Sequence, residues 1–208
     1  MEIEHIELSI IKAIEGKSKL VSGILDIEGM SSSRNRHLLN NLLDMPDVNY
    51  LEIGAWKGST FVSALYKNNV TSAYAIDDWS QFMEEPVDIR YYFLKNCKKY
   101  GINYKLIETN CFVVNLKDIK SKINIFFYDG DHGRKLTRNS LLYYFNVLAD
   151  EFLYIVDDYD WEGPSLGVAD ALEKTNLDVV YSKHLKSNGM NDIDTWWNGL
   201  GIFILRKR

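Results

Sequence analysis

Residues 49–60 read NYLEIGAWKGST, and this stretch decides the fold. Tyr50, Leu51 and Ile53 make a short apolar strand that closes on an acid and two glycines, Glu52, Gly54 and Gly58, before a helix begins at Ser59. A glycine directly after a strand lets the backbone turn sharply and leaves room for a ligand against the main chain. Gly58 followed by Ser59 and Thr60 favours a helix start whose free N–H groups and positive dipole end meet that ligand. Such a strand–glycine-loop–helix corner is the first unit of a doubly wound α/β fold. A dinucleotide site wants G-x-G-x-x-G and a triphosphate loop wants G-x-x-x-x-G-K-[ST], whereas this loop is G-x-x-x-G. A nicotinamide oxidoreductase is therefore a weak reading.

Outward from this corner the chain alternates. Strands are expected at 71–76, 103–108, 123–128, 152–156, 178–182 and 199–205. Helices are expected from Ser59 to about Lys67, over 86–99, around Leu141, Tyr144 and Leu148, and from Pro164 to Lys174. The unbroken run INIFFY at 123–128 suits a strand buried on both faces. In the first 46 residues, Ile3, Ile6, Ile10, Ile11 and Ile14 form one helical stripe. A short strand at 20–25 follows, then a helix opened by Ser31–Ser33 that carries Leu38, Leu39, Leu42 and Leu43 and ends at Pro46. The expectation is a single domain, 1–208. Its core spans 47–208, and 1–46 form a helical extension acting as a lid, a partner surface or a cover for a sheet edge.

A net charge of −5 and a pI near 5.4 argue against nucleic acid as the main partner. Cys97 and Cys111 lack metal-type spacing and read as reduced thiols of a cytoplasmic protein. The opening MEIEHIEL has no signal-peptide pattern, and no apolar run approaches the ~20 residues of a membrane span. The second strand ends in Asp77-Asp78-Trp79, where an acid is placed to accept hydrogen bonds from a ribose diol.

The pattern E-x-G-x-x-x-G-S, Glu52 to Ser59, resembles motif I of the class I S-adenosylmethionine-dependent methyltransferases. That resemblance implies that Gly54, Gly58 and Ser59 pass under the sulfonium amino acid while Glu52 helps hold its amino group. It also implies that Asp77 holds the ribose, with Asp78 as the alternative, that Trp79 stacks on or walls the adenosine, and that Asn110 and Cys111 line the base. The implied architecture is a Rossmann-like three-layer sandwich, a mostly parallel seven-stranded sheet of order 3-2-1-4-5-7-6 that closes with an antiparallel hairpin.

Two more strands end in acids, Asp129-Gly130-Asp131-His132 and Asp157-Asp158-Tyr159. In a parallel sheet these ends share one edge, with neighbouring strands ~4.8 Å apart, so the carboxylates repel and raise one another's pKa. A hard divalent cation would relieve that conflict; solvent exposure or cofactor contact would do so too. D-G-D and D-D-Y resemble the metal-dependent O-methyltransferases that act on sugars of macrolide and aminocoumarin antibiotics, whose plan the catechol and caffeoyl-CoA enzymes share. The resemblance implies Asp129, Asp157 and Asp158 as ligands of Mg²⁺ or Mn²⁺ and Asp131 as general base. His132 falls where the catechol enzymes have a basic lysine, and it suits a base on intrinsic pKa. Those sugar enzymes usually have L-Y after D-x-D, where this chain has His132-Gly133. Trp196 and Trp197 are expected to wall a substrate pocket, make a homodimer contact or cover the core. The function expected is S-adenosylmethionine-dependent O-methylation of a small polar metabolite such as a sugar. A methyltransferase-fold binding or assembly protein, or an enzyme of another reaction at the same nucleotide site, is the alternative.

Overall fold

The computed structural model describes residues 2–80 and 88–208. Seven strands, β1 (Val48–Ile53), β2 (Val70–Asp77), β3 (Lys105–Glu108), β4 (Ile123–Tyr128), β5 (Leu148–Val156), β6 (Leu177–Leu185) and β7 (Leu200–Lys207), form one sheet in the order β3-β2-β1-β4-β5-β7-β6. β1 to β5 pair in parallel, while β7 runs antiparallel to both β5 and β6, so the sheet is mixed and the expected order and closing hairpin are present. The helices are α1 (Ile3–Ile14), α2 (Ser22–Leu25), α3 (Ser33–Leu42), α4 (Ser59–Leu65), α5 (Ile89–Lys99), α6 (Arg134–Tyr144) and α7 (Glu162–Lys174).

Alternation along the central strands divides the core into two layers. Tyr50, Ala75, Ile125, Phe127, Ile155 and Ile202 turn towards α1, α3, α4 and α5. Leu51, Ile53, Phe126, Tyr128, Tyr154 and Val156 turn the other way, onto Leu141 and Tyr144 of α6 and Val168 and Ala171 of α7. Burying each large apolar side chain is worth about 1.5–3 kcal/mol, so both faces of the sheet stabilise the fold. The N-terminal segment belongs to the first layer: Ile6, Ile10, Leu38, Leu39 and Leu42 share one cluster with Tyr50 and Phe61. No helix among the described residues is long and apolar enough to cross a membrane.

The strand expected at 20–25 is instead the single helical turn α2. It pairs with no strand among the described residues and buries Ile24 in the first layer. The helix expected over 86–99 begins at Ile89, where Asp88 caps it by accepting a hydrogen bond from the Tyr91 N–H at 3.0 Å. Positions 86 and 87 lie outside the described residues.

One close approach sets the geometry of the sheet's C-terminal edge. Gly54 leaves β1 with φ +86°, and its N–H continues the ladder to the Ile76 carbonyl at 3.0 Å. A Cβ here would lie 1.7 Å from the backbone oxygen of Asp129, at the end of the neighbouring β4. The glycine therefore has a structural duty before any ligand is considered. Gly54→Ala should destabilise the fold by about 3 kcal/mol, in the range set by backbone strain and overpacking, as read by urea denaturation. A loss below ~1 kcal/mol would show that the two loops separate freely.

Candidate active site

A cavity of about 590 Å³ opens at the C-terminal ends of β1, β2, β4 and β5, where the sheet's connections diverge to opposite sides. Its floor is the loop from Gly54 to Trp56. Asp77 and Asp78 stand on one side, Asn110 and Cys111 on a second, and Asp129 to His132 with Asp157 and Asp158 on a third. The ladder places these acids at one level: the Asp129 N–H donates to Ile53 at 2.9 Å, and the Asp157 N–H to Tyr128 at 3.0 Å.

On the β2 side, Asp77 organises two loops. One carboxylate oxygen accepts from the Trp56 N–H and the other from the Trp79 N–H, both at 2.8 Å. Burial raises its pKa above the ordinary carboxylate value, and these backbone donors oppose that rise. Asp78 turns instead to Ser80, accepting from its hydroxyl at 2.6 Å. Trp79 lines the cavity, packs on Phe93 and donates from Nε1 to the Trp56 carbonyl at 3.1 Å. Asn110 accepts from the Phe112 N–H at 2.9 Å, and burial pushes the Cys111 thiol up to about 12, so it stays protonated. Ser59 lines the cavity as the first residue of α4, behind Gly58 at φ +85°.

Glu52 does not line this cavity. It is fully buried, with Thr60 Oγ1 donating to one oxygen at 2.6 Å and the Tyr50 hydroxyl donating to the other. Burial raises it to about 7, against the pull of those two donors. Tyr50 and Glu52 are two apart on β1 and so share a face, which points Glu52 under α4 rather than outward.

The paired acids separate into two arrangements. Asp129, half-buried, and Asp157, buried, come together at the cavity wall. Burial, and next the neighbouring acids, raise Asp129 well above the carboxylate range and Asp157 to about 8. Asp157 Oδ1 is buried, and no N–H or O–H among the described residues reaches it. These shifts favour a protonated carboxyl in the pair, which two ionised carboxylates would not supply. Asp158 has φ +52° and turns elsewhere. Its Oδ1 accepts from Asn198 Nδ2 at 2.9 Å, and its Oδ2 lies 3.3 Å from His132 Nε2. Among the described residues no group of three His, Cys, Asp or Glu side chains is gathered as a metal site. Asp129 and Asp157 supply two oxygen donors and an unpartnered oxygen, a set that fits a hard cation in place of the proton.

Of the two base candidates, Asp131 is exposed and its carboxylate accepts from the Gly133 N–H at 2.7 Å. His132 is half-buried beside Asp158 and meets Trp161 edge-on at 5.5 Å. Burial lowers its pKa, while Asp158 and Asp131 oppose that shift. The tryptophan pair divides: Trp196 is buried in the core, while Trp197, at φ +60°, lines the cavity. Sequence reasoning missed Asn198, Trp161 and Met30, all cavity residues; the neighbouring WW and DYDW motifs were the available signals.

No protein-family profile and no curated protein sequence matches the chain. Solved structures do. An O-methyltransferase from Bacillus cereus in complex with S-adenosylhomocysteine superposes with a TM-score of 0.62 at 10% identity, covering 99% of this chain and 92% of its own. A candidate RNA methyltransferase from Pyrococcus horikoshii has a TM-score of 0.59 at 15% identity, over 100% and 98%. The ribosomal protein L11 methylase of Lactobacillus delbrueckii subsp. bulgaricus has 0.57 at 14%, over 85% and 79%. At these identities the likeness establishes the fold, which is that of the S-adenosylmethionine-dependent methyltransferases. The neighbours' acceptors range from RNA to protein, so the fold leaves the acceptor open.

The acid pair has a signature in stability. Asp157 moves from the ordinary 3.8 to about 8, so between those pH values the folded protein keeps a proton that the unfolded chain has released. Stability contributed by the pair should then fall as pH rises from about 4 to about 8. In melting curves across that window, Asp157→Asn should show a shallower decline than the parent chain. Parallel declines would mean that the pair does not hold the proton.

Proposed function

We propose that the chain is an S-adenosylmethionine-dependent methyltransferase acting on a hydroxyl of a small polar metabolite such as a sugar. One juxtaposition carries this reading. A glycine loop and a strand-end acid suited to the methyl donor share a cavity with an imidazole–carboxylate pair suited to the acceptor. When bound, S-adenosylmethionine supplies a methyl group on a sulfonium, which leaves its bonding pair on sulfur. The protein then needs to align and deprotonate the acceptor. Asp77 offers its carboxylate to the ribose hydroxyls, and Trp79 and Cys111 supply apolar walls for the adenosine. His132 takes the hydroxyl proton. Burial keeps it neutral and ready to accept, and Asp158 stabilises the imidazolium that results.

The charge of the cavity supports a neutral or cationic acceptor. Six aspartates line it, Asp77, Asp78, Asp129, Asp131, Asp157 and Asp158, and among the described residues no lysine or arginine does. A phosphorylated metabolite or a nucleic-acid backbone would meet repulsion there. The unpartnered Asp157 oxygen favours a second element in the reading, a divalent cation at Asp129 and Asp157. Mg²⁺ or Mn²⁺ bound there would lower the pKa of the acceptor hydroxyl.

Binding of S-adenosylhomocysteine should raise the melting temperature, since a ligand at 100 times its Kd stabilises by about 2.7 kcal/mol. No rise at millimolar ligand would reject the reading. Asp77→Ala should weaken that binding by about 1–3 kcal/mol in calorimetry, the cost of losing charge-assisted hydrogen bonds, with circular dichroism unchanged. Undiminished affinity would assign the ribose to another residue. If the cation belongs to the site, Mg²⁺ should raise the melting temperature of the parent chain and leave that of Asp157→Ala unmoved.

A further inference from the structure

Two large apolar side chains line the acidic cavity and yet stay widely open to solvent. Met30 is 44% exposed and Trp161 is 40% exposed. Trp161 caps the start of α7, while Met30 comes from the loop between α2 and α3. The loop between β6 and β7 adds Trp197 to the lining and leaves Met190 and Ile193 exposed on either side of Asn191, itself a lining residue. Single exposed apolar residues are ordinary on a protein surface. Several set around one polar cavity mark a ligand with apolar surface of its own.

Met30 is held in place by a scaffold. From Asp26 to Ser32 the chain forms neither helix nor strand. The buried guanidinium of Arg36 gathers it, donating to the carbonyls of Leu25 at 2.9 Å and Ile27 at 2.7 Å and to Ser31 Oγ at 3.0 Å. A planar fork with several donors can fold a loop around itself in this way, which a lysine cannot do. Gly29 lies directly on α4, where a Cβ would come 1.9 Å from Ser59 Oγ. Glu28 pairs with Lys57 of the glycine loop at 2.7 Å, and Ser32 Oγ donates to the Thr195 carbonyl in the β6–β7 loop. The segment therefore ties the glycine loop to the β6–β7 loop, with Met30 between the two attachments.

We infer that Met30 is a specificity-determining residue: with Trp161 it forms an apolar rim that receives an aliphatic or aromatic body joined to the hydroxyl-bearing end of the acceptor. Met30 has no polar group stronger than a thioether, so apolar surface is what it can hold. Among the described residues no lysine or arginine lines the cavity, so an anionic body finds no partner there. The assignment of the reacting end rests on the methyltransferase reading; the rim adds that the polar acceptor carries an apolar substituent.

The test titrates the whole chain, with and without saturating S-adenosylhomocysteine, with butyl, hexyl and octyl glucoside in a calorimeter, each below its micelle-forming concentration. A fully buried methylene contributes a factor of about four to an affinity and a half-open rim keeps part of it, so octyl glucoside should bind at least about tenfold more tightly than butyl glucoside. Met30→Ser should reduce that ratio by about threefold or more. If this variant folds poorly by circular dichroism, Met30→Gln, of matching length, takes its place. Ile11→Ser, on the exposed apolar face of α1, should leave the ratio intact. An affinity independent of tail length would overturn the inference, as would an unchanged ratio in a folded Met30 variant or a ratio lost in Ile11→Ser. A missing S-adenosylhomocysteine melting shift strikes the functional reading, whereas a flat series in both titrations strikes only the rim.

Discussion

Carboxyl groups taken out of water are the constraint around which this molecule is arranged. Glu52 sits in β1 level with Phe127 and Ile155, and Asp129, Asp157 and Asp158 follow directly after the ends of β4 and β5. Each would cost several kcal/mol if left ionised and unpartnered. The fold answers each one differently. Glu52 receives two hydroxyl donors, Asp129 and Asp157 are driven towards the protonated form, and Asp158 takes an amide donor with an imidazole beside it. Those answers dictate the surroundings. Thr60 must lie in the first turn of α4, Gly54 must leave room beside Asp129, and the β6–β7 loop must bring Asn198 to Asp158.

β1, β2, β4 and β5 were legible because each is an apolar run that ends in glycine or acid, and a parallel edge gathers such endings in one place. The fold class and the position of the cavity followed from that alone. What the sequence could not display was direction. Glu52 reads as an acid at a ligand-binding corner, yet the two-residue period that aligns it with Tyr50 sends it under a helix. Asp157 and Asp158 read as equivalent neighbours, and a left-handed backbone at the second parts them. Trp196 and Trp197 behave likewise, one entering the core and the other the cavity.

Asn198 was hidden for a further reason. An asparagine in a polar stretch rich in turn residues has no pattern of its own, and its partner lies forty positions earlier in the chain. Local composition reports on local structure, whereas this residue acts through a contact that exists only after the sheet has closed. The segment at 20–25 shows the same limit from the other side. Its apolar composition suits a strand, but strand formation needs a partner strand, and among the described residues it pairs with none.

The position of β7 has a consequence for how the protein comes into being. In chain order it follows β6, but in the sheet it is inserted between β5 and β6. During synthesis the five parallel strands emerge first and can assemble, with β5 left as an exposed apolar edge. Trp197 and Asn198 leave the ribosome after every other residue of the cavity. The nascent chain therefore has the cavity walls contributed by β1, β2, β4 and β5 before it has Trp197 and Asn198, so the cavity is the last feature of the fold to be completed.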